Sequence, residues 1–119
     1  MKRQHRLRRP AHFQRVRSSG SHYDGAVLLL SVAPARQRVT RCGIVVARRI
    51  GSAVVRNRIK RRIREILRIH YNCLRTHSDI VVIARSPSIA AMPHAELNDT
   101  IIHVLRRAGI WHPPESSPQ

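Results

Sequence analysis

The run Arg56-Asn57-Arg58-Ile59-Lys60-Arg61-Arg62-Ile63-Arg64-Glu65 limits what this chain can fold into more than any other stretch of it. It is dense in cations, yet it is patterned. Ile59 and Ile63 are four apart, and the apolar register continues outside the run through Val55, Ile66, His70 and Leu74. Residues three or four apart share a face of an α-helix, so this spacing predicts a helix with one buried stripe. Asn57, Lys60, Arg61, Arg64 and Arg68 then fall on the opposite face. A charged face turned to water normally mixes signs, with Glu and Lys or Arg paired four apart. Here Glu65 is the only acid between Gly25 and Cys73. An array of like charge repels itself, and an anionic partner relieves the repulsion. The expected partner is a polyanion gripped by guanidinium groups.

Composition narrows the class of polyanion. The chain has 119 residues, with 23 Lys and Arg against 6 Asp and Glu, and arginine supplies almost all of the positive charge. Arginine pairs bidentately with phosphate and stacks on bases, which favours nucleic acid over a merely soluble surface. A membrane is the competing use of positive charge, but no apolar run approaches the roughly 20 residues needed to span a bilayer. The basic stretch Met1 to Arg9 lacks the apolar segment and small-residue cleavage site of a secretory signal. The expectation is a cytosolic chain. Its length suits one domain, expected over residues 1–112, with 113–119 as a frayed tail.

Metal and redox chemistry find little support. Cys42 and Cys73 belong to no Cys-x-x-Cys unit and are expected to be ordinary buried thiols. The 8 histidines include no pair at the i, i+4 spacing of a helical metal site. His70 lies on the apolar stripe and reads as a satisfied core histidine. The carboxylates Asp24, Glu65, Asp79, Glu96, Asp99 and Glu115 show no paired spacing for acid–base work. Asp79, at a strand start, reads as a turn or capping residue. No glycine-rich phosphate loop of the nucleotide-hydrolase kind is present. No catalytic residue and no protein-made metal site is expected.

Along the chain, Pro10 can open a short helix with Phe13 and Val16 inward and Arg15 and Arg17 outward or sideways, broken by Ser18-Ser19-Gly20-Ser21. Ala26 to Val32 and Val39 to Ala47 read as strands that could pair as an antiparallel hairpin with a long loop. Arg48-Arg49-Ile50-Gly51 makes a basic turn. Ser52 is a candidate N-cap for the long helix, roughly Ala53 to Leu74. Asp79 to Ala84 is a continuous apolar run suited to burial on both faces. A last helix, about His94 to Ala108, buries Leu97, Ile101, Val104, Leu105 and Ala108 and ends at Gly109. This order predicts a sheet with helices packed against it.

Gly43-Ile44-Val45-Val46-Ala47-Arg48-Arg49-Ile50-Gly51-Ser52-Ala53-Val54-Val55-Arg56-Asn57-Arg58-Ile59-Lys60-Arg61 resembles the protein component of bacterial ribonuclease P. Arg6-Leu7, Phe13 and the strand end Ile83-Ala84-Arg85 reinforce the resemblance, in the same order along most of the chain. It implies an α/β (α+β) two-layer sandwich, a small mixed sheet packed with three helices and joined by a left-handed βαβ crossover. It also implies a further strand, which Ser21 to Asp24 could supply. The implied function is that of an accessory subunit in removing the 5′ leader of precursor transfer RNA. In that enzyme a large RNA is the catalyst, and Mg2+ is held mainly by RNA groups.

Carried over by position, Arg56, Asn57, Arg58, Lys60 and Arg61 would contact the catalytic RNA, with Arg48 and Arg49 as further phosphate contacts. Arg64 and Arg68 extend the same helix face. Phe13 would line a cleft between the first helix and the sheet that receives the leader, where a ring can stack on an unpaired base. Arg17 stands where the family often has a second aromatic, so guanidinium stacking or phosphate pairing would replace a ring. Phe13 could equally anchor the helix in the core. The partners implied are one catalytic RNA per protein and the precursor leader, with no membrane. A ribosomal protein or a duplex-DNA regulator would share the charge, but no short helix and tight turn precede the long helix as a helix-turn-helix requires.

Overall fold

The computed structural model describes residues 2–74 and 77–113. Four strands form one mixed sheet, β1 (Ser21–Asp24), β2 (Leu28–Pro34), β3 (Arg41–Val46) and β4 (Ser78–Ala84), in the order β1-β2-β4-β3. Three helices accompany it, α1 (Pro10–Ser19), α2 (Ala53–Ile69) and α3 (His94–Arg107). β1 lies at Ser21–Asp24, where the resemblance asked for a strand. No helix of the described residues is long and apolar enough to cross a membrane.

The expected β2–β3 hairpin does not form. β4 separates the two strands, antiparallel to β2 with Leu28 opposite Ala84, and parallel to β3 with Arg41 opposite Asp79. The reason lies in β4 itself. Ile80, Val81 and Val82 are all buried, so both faces of this strand need cover and only an interior position supplies it. The β3–α2–β4 connection is consequently a parallel βαβ unit.

Strand alternation divides the core. Leu28, Leu30, Cys42, Val46, Ile80, Val82 and Ala84 turn to one face, where Ile59, Ile63, Ile66 and Leu67 of α2 and Leu97, Ile101, Val104 and Leu105 of α3 cover them. This is the main two-layer core. On the reverse face Ala33 and Val81 meet Val16 of α1 and Leu7, with Phe13, Val45 and Ile83 partly buried around them. Both cysteines are buried free thiols, and burial pushes Cys42 up to about 12, which keeps it protonated.

Local chemistry sets the helix ends. Ser52 Oγ accepts the Val55 N–H at 3.3 Å, as an N-cap should. α2 stops at Ile69 rather than running on to Leu74. His70 leaves helical geometry, and Tyr71–Cys73 form a 3-10 turn whose Tyr71 hydroxyl donates to Thr40 O at 2.6 Å. Leu74 then bridges to Trp111, so tertiary contacts pull the last residues of the apolar stripe out of the helix. His70 is satisfied by Asn98 Oδ1 at 2.8 Å. α3 ends in a Schellman arrangement: Gly109 has φ 75, its N–H reaches Arg106 O and the Ile110 N–H reaches Leu105 O. From residue 114 on, the expected tail lies outside the described residues.

Candidate nucleic-acid interface

α2 sorts its cations into three positions. On one flank Arg62 donates to Ile89 O at 2.6 Å and also to Met92 O, and Arg58 Nε donates to Ala90 O at 2.9 Å. These carbonyls belong to the turn between β4 and α3, so Arg62 is a structural clamp. Arg58 as a whole remains exposed. Along the crest, Asn57 and Arg61 project into solvent. On the other flank Arg56, Lys60 and Arg64, spaced by four, are half-buried against the rest of the fold. Arg56 Nε donates to Gly51 O at 3.1 Å, which closes the basic turn onto the helix.

That turn is a 3-10 segment, Arg48–Ile50, in which buried Ile50 is the anchor and Arg48 and Arg49 are both exposed. They stand just before the first turn of α2, as the sequence implied. Arg68 differs from the other face residues. Glu65 holds it through a two-toothed pair, Nη2 to Oε2 at 2.6 Å and Nε to Oε1 at 3.0 Å. The hydrogen bond from Arg68 holds the Glu65 carboxyl below its usual range. The one acid of the run therefore occupies the outermost cation of the expected face.

Lys60 and Arg64 meet Arg6, Phe13, Gly43 and Ile44 around a cavity of about 80 Å³. Arg64 titrates below the usual arginine range, first through burial and then through repulsion by Arg6. Arg6 is brought there by the chain's first segment, which runs beside β3 with the Leu7 N–H on Cys42 O at 2.9 Å. Arg6-Leu7 was visible in the sequence as part of a resemblance, but nothing in the spacing placed Arg6 beside Arg64.

Phe13 belongs both to the small core and to the wall of an open cleft. Its ring lies over Gly43, where a Cβ would overlap it, and it joins the small core around Leu7 and Val16. It also lines an open cleft of about 680 Å³ between α1 and the sheet, with Pro10, Gln14, Arg17, Ser18 and Val45. Arg17 is exposed on the wall of that cleft.

One expectation about charge fails on the α1 side. Asp79 is not a cap: it is fully buried and accepts from Arg41, Nε to Oδ1 at 3.1 Å and Nη2 to Oδ2 at 3.0 Å, and also from Arg15. Arg15, expected outward or sideways, reaches under α1 to this carboxylate. Their spacing in sequence, 64 and 38 residues from Asp79, hides both pairs. Among the described residues no group of three His, Cys, Asp or Glu is placed to hold a metal ion.

Comparison with known proteins matches this geometry to one family. The Ribonuclease P family model covers residues 1–109. The ribonuclease P protein component of Roseiflexus castenholzii is 47% identical over 92% of this chain and 90% of its own length. That of Chloroflexus aurantiacus is 45% identical over 96% of this chain and 84% of its own. Among solved structures, the Staphylococcus aureus RNase P protein superposes with a TM-score of 0.81 at 30% identity, covering 91% of this chain and 98% of that one. The Thermotoga maritima RNase P protein gives 0.77 at 28% identity, over 86% and 96%. Matched along nearly its whole length in sequence and in fold, the chain belongs to the ribonuclease P protein family.

Proposed function

We infer that this chain is the protein component of a bacterial ribonuclease P and works as part of an endoribonuclease. It binds the enzyme's RNA and assists removal of the 5′ leader from precursor transfer RNA. The observation that carries this reading is the cavity where Phe13, Lys60 and Arg64 meet. It joins the Lys60–Arg64 flank of α2, beside an exposed arginine face suited to a folded RNA, to the aromatic floor of a cleft suited to a single strand. One surface can thus hold two RNAs against each other.

In this reading Asn57, Arg61 and the free ends of Arg56 and Arg58 contact the catalytic RNA, and Arg48, Arg49, Lys60 and Arg64 add phosphate contacts. Arg68 contributes only where it exchanges Glu65 for a phosphate. Phe13 and Arg17 receive the leader. Bond cleavage is assigned to the RNA, with Mg2+ held mainly by RNA groups. The disposition of carboxylates supports that assignment: Asp79, Glu65 and Asp24 are each engaged by arginine, Asp24 through Arg85 at 2.7 Å. One protein per RNA, in the cytoplasm, completes the proposal.

The test is cleavage of a precursor transfer RNA at low magnesium with the RNA alone, the protein alone, and both. Efficient cutting at the leader junction only by the combination is expected. An unchanged rate on adding protein would remove the accessory role.

A further inference from the structure

A second basic recess lies on the far side of α1 from the leader cleft. It encloses about 400 Å³ and is walled by Arg3, Arg6, Arg8, Arg9, His12 and Arg41. Among the described residues no carboxylate lines it. The nearest acid, Asp79, is fully buried behind Arg41 and already shared with Arg15. α1 begins at this recess with Pro10, and its first turn carries no acid, so the positive end of the helix adds to the field. Arg6 Nε is buried and has no hydrogen-bond partner among the described residues. An orphaned guanidinium nitrogen is costly unless something accepts from it. Arg41, its side chain 10% exposed, spends Nε and Nη2 on Asp79 and points Nη1 at His12 Nδ1, 3.5 Å away.

We propose that this recess binds one phosphodiester group of an RNA backbone, and that His12 takes up a proton as the phosphate enters. Arg9 before α1, Arg15 within it and Arg41 on β3 disfavour the charged form of His12, and only Asp79 on β4 favours it. Arg3, Arg6 and Arg8 complete the cationic wall. With burial as the largest cause, His12 titrates below the usual histidine range, so the free ring is neutral near pH 7 and can accept from Arg41. An anion in the recess reverses that balance and makes imidazolium a further donor. Affinity then rises as pH falls from the bound-state pKa of His12 towards its lower free-state value, and levels off below that.

The sulfate test needs only the full chain. The histidine ring protons are followed by NMR from about pH 5 to 8, the range in which imidazole titrates, with and without sulfate at constant ionic strength. Sulfate stands in for the phosphodiester because it does not itself titrate there. His12 should rise by about one unit, equivalent to about tenfold in affinity. His103, exposed on α3, should stay put, and the double variant Arg8→Gln, Arg9→Gln should abolish the His12 rise. A rise in His12 no larger than that of His103 would overturn the site.

Two RNA arms then identify the source of the phosphate, a single-stranded leader oligonucleotide and the ribonuclease P RNA. Whichever binds about tenfold tighter at low pH, and loses this with His12→Ala, fills the recess. Flat pH dependence with both sinks the proposal. The choice of RNAs rests on the function proposed above, but the sulfate result does not. Stimulated cleavage without a sulfate effect would discard only the recess, and a sulfate effect without stimulation would discard only the function.

Discussion

Arg61 and Arg62 are adjacent in sequence and belong to different regions of the molecule. Arg62 is folded onto the carbonyls of Ile89 and Met92, while Arg61 stands free on the crest of α2. The same division recurs across the sheet. Arg15 and Arg41 are locked onto Asp79, whereas Arg3, Arg8 and Arg9 wall an open recess. Charge density alone therefore says nothing of an arginine's use. An arginine whose donors are taken up by the fold holds the protein together, and one with free donors is available to a ligand.

Substitutions at paired and free positions should separate stability from RNA binding, and the buried pair should give the largest effect. Asp79→Asn removes the counter-charge of a guanidinium pair that is nearly out of water, and should cost about 3–5 kcal/mol in urea unfolding. A loss below about 1 kcal/mol would mean that Arg41 finds another partner. Next comes Arg62→Ala, which uncaps two carbonyls and should cost about 1–3 kcal/mol, with RNA affinity following only through folding. Its neighbour should behave in the opposite way. Arg61→Ala combined with Arg64→Ala should leave stability within about 1 kcal/mol while weakening binding to the ribonuclease P RNA. The log–log salt slope should become shallower by roughly 1.4–1.8, as for two lost phosphate contacts; an unchanged slope would take both residues out of the interface.

A further substitution probes the floor of the cleft. Gly43→Ala pushes on the Phe13 ring and should cost about 1–3 kcal/mol. It should also weaken binding of leader-containing precursor more than that of mature transfer RNA. Equal losses for both would confine Phe13 to the core. The smallest is Glu65→Gln, which frees Arg68 and should tighten RNA binding slightly at low salt. Because the Glu65 carboxyl is held below its usual range in the folded protein, its contribution to stability is present above the unfolded carboxylate pKa. It is lost as pH falls through the depressed value, so the wild type and the variant should converge in acid.

How much of this could be read from the sequence depended on the range of the interaction. The α2 stripe, the Ser52 cap and the Gly109 stop are encoded within a turn or two, and periodicity and residue chemistry revealed them. β4's demand for cover on both faces was also legible. Its place between β2 and β3 was not, because pairing order is decided by a crossover and not by either strand. The crest of α2 was legible from the lack of acids, but the fate of each cation on it was not. Arg62 differs from Arg61 only because carbonyls 27 and 30 residues away lie under one flank. Asp79 was misread for the same reason, since its partners are distant in sequence.

The insertion of β4 between strands made long before it bears on how the chain is synthesised. A nascent chain emerging from its N-terminus has β2, β3 and α2 in hand before the strand that must sit between the first two. Until Ser78–Ala84 arrives, the inner edges of β2 and β3 are both open, and long-range pairing of this kind is slow to close. Open edges are where unfinished chains aggregate. The helix made in the interval carries seven cations against one acid, so growing chains repel one another while their edges are bare. Like-charge repulsion from the α2 array is therefore expected to oppose aggregation of unfinished chains before any RNA partner is bound.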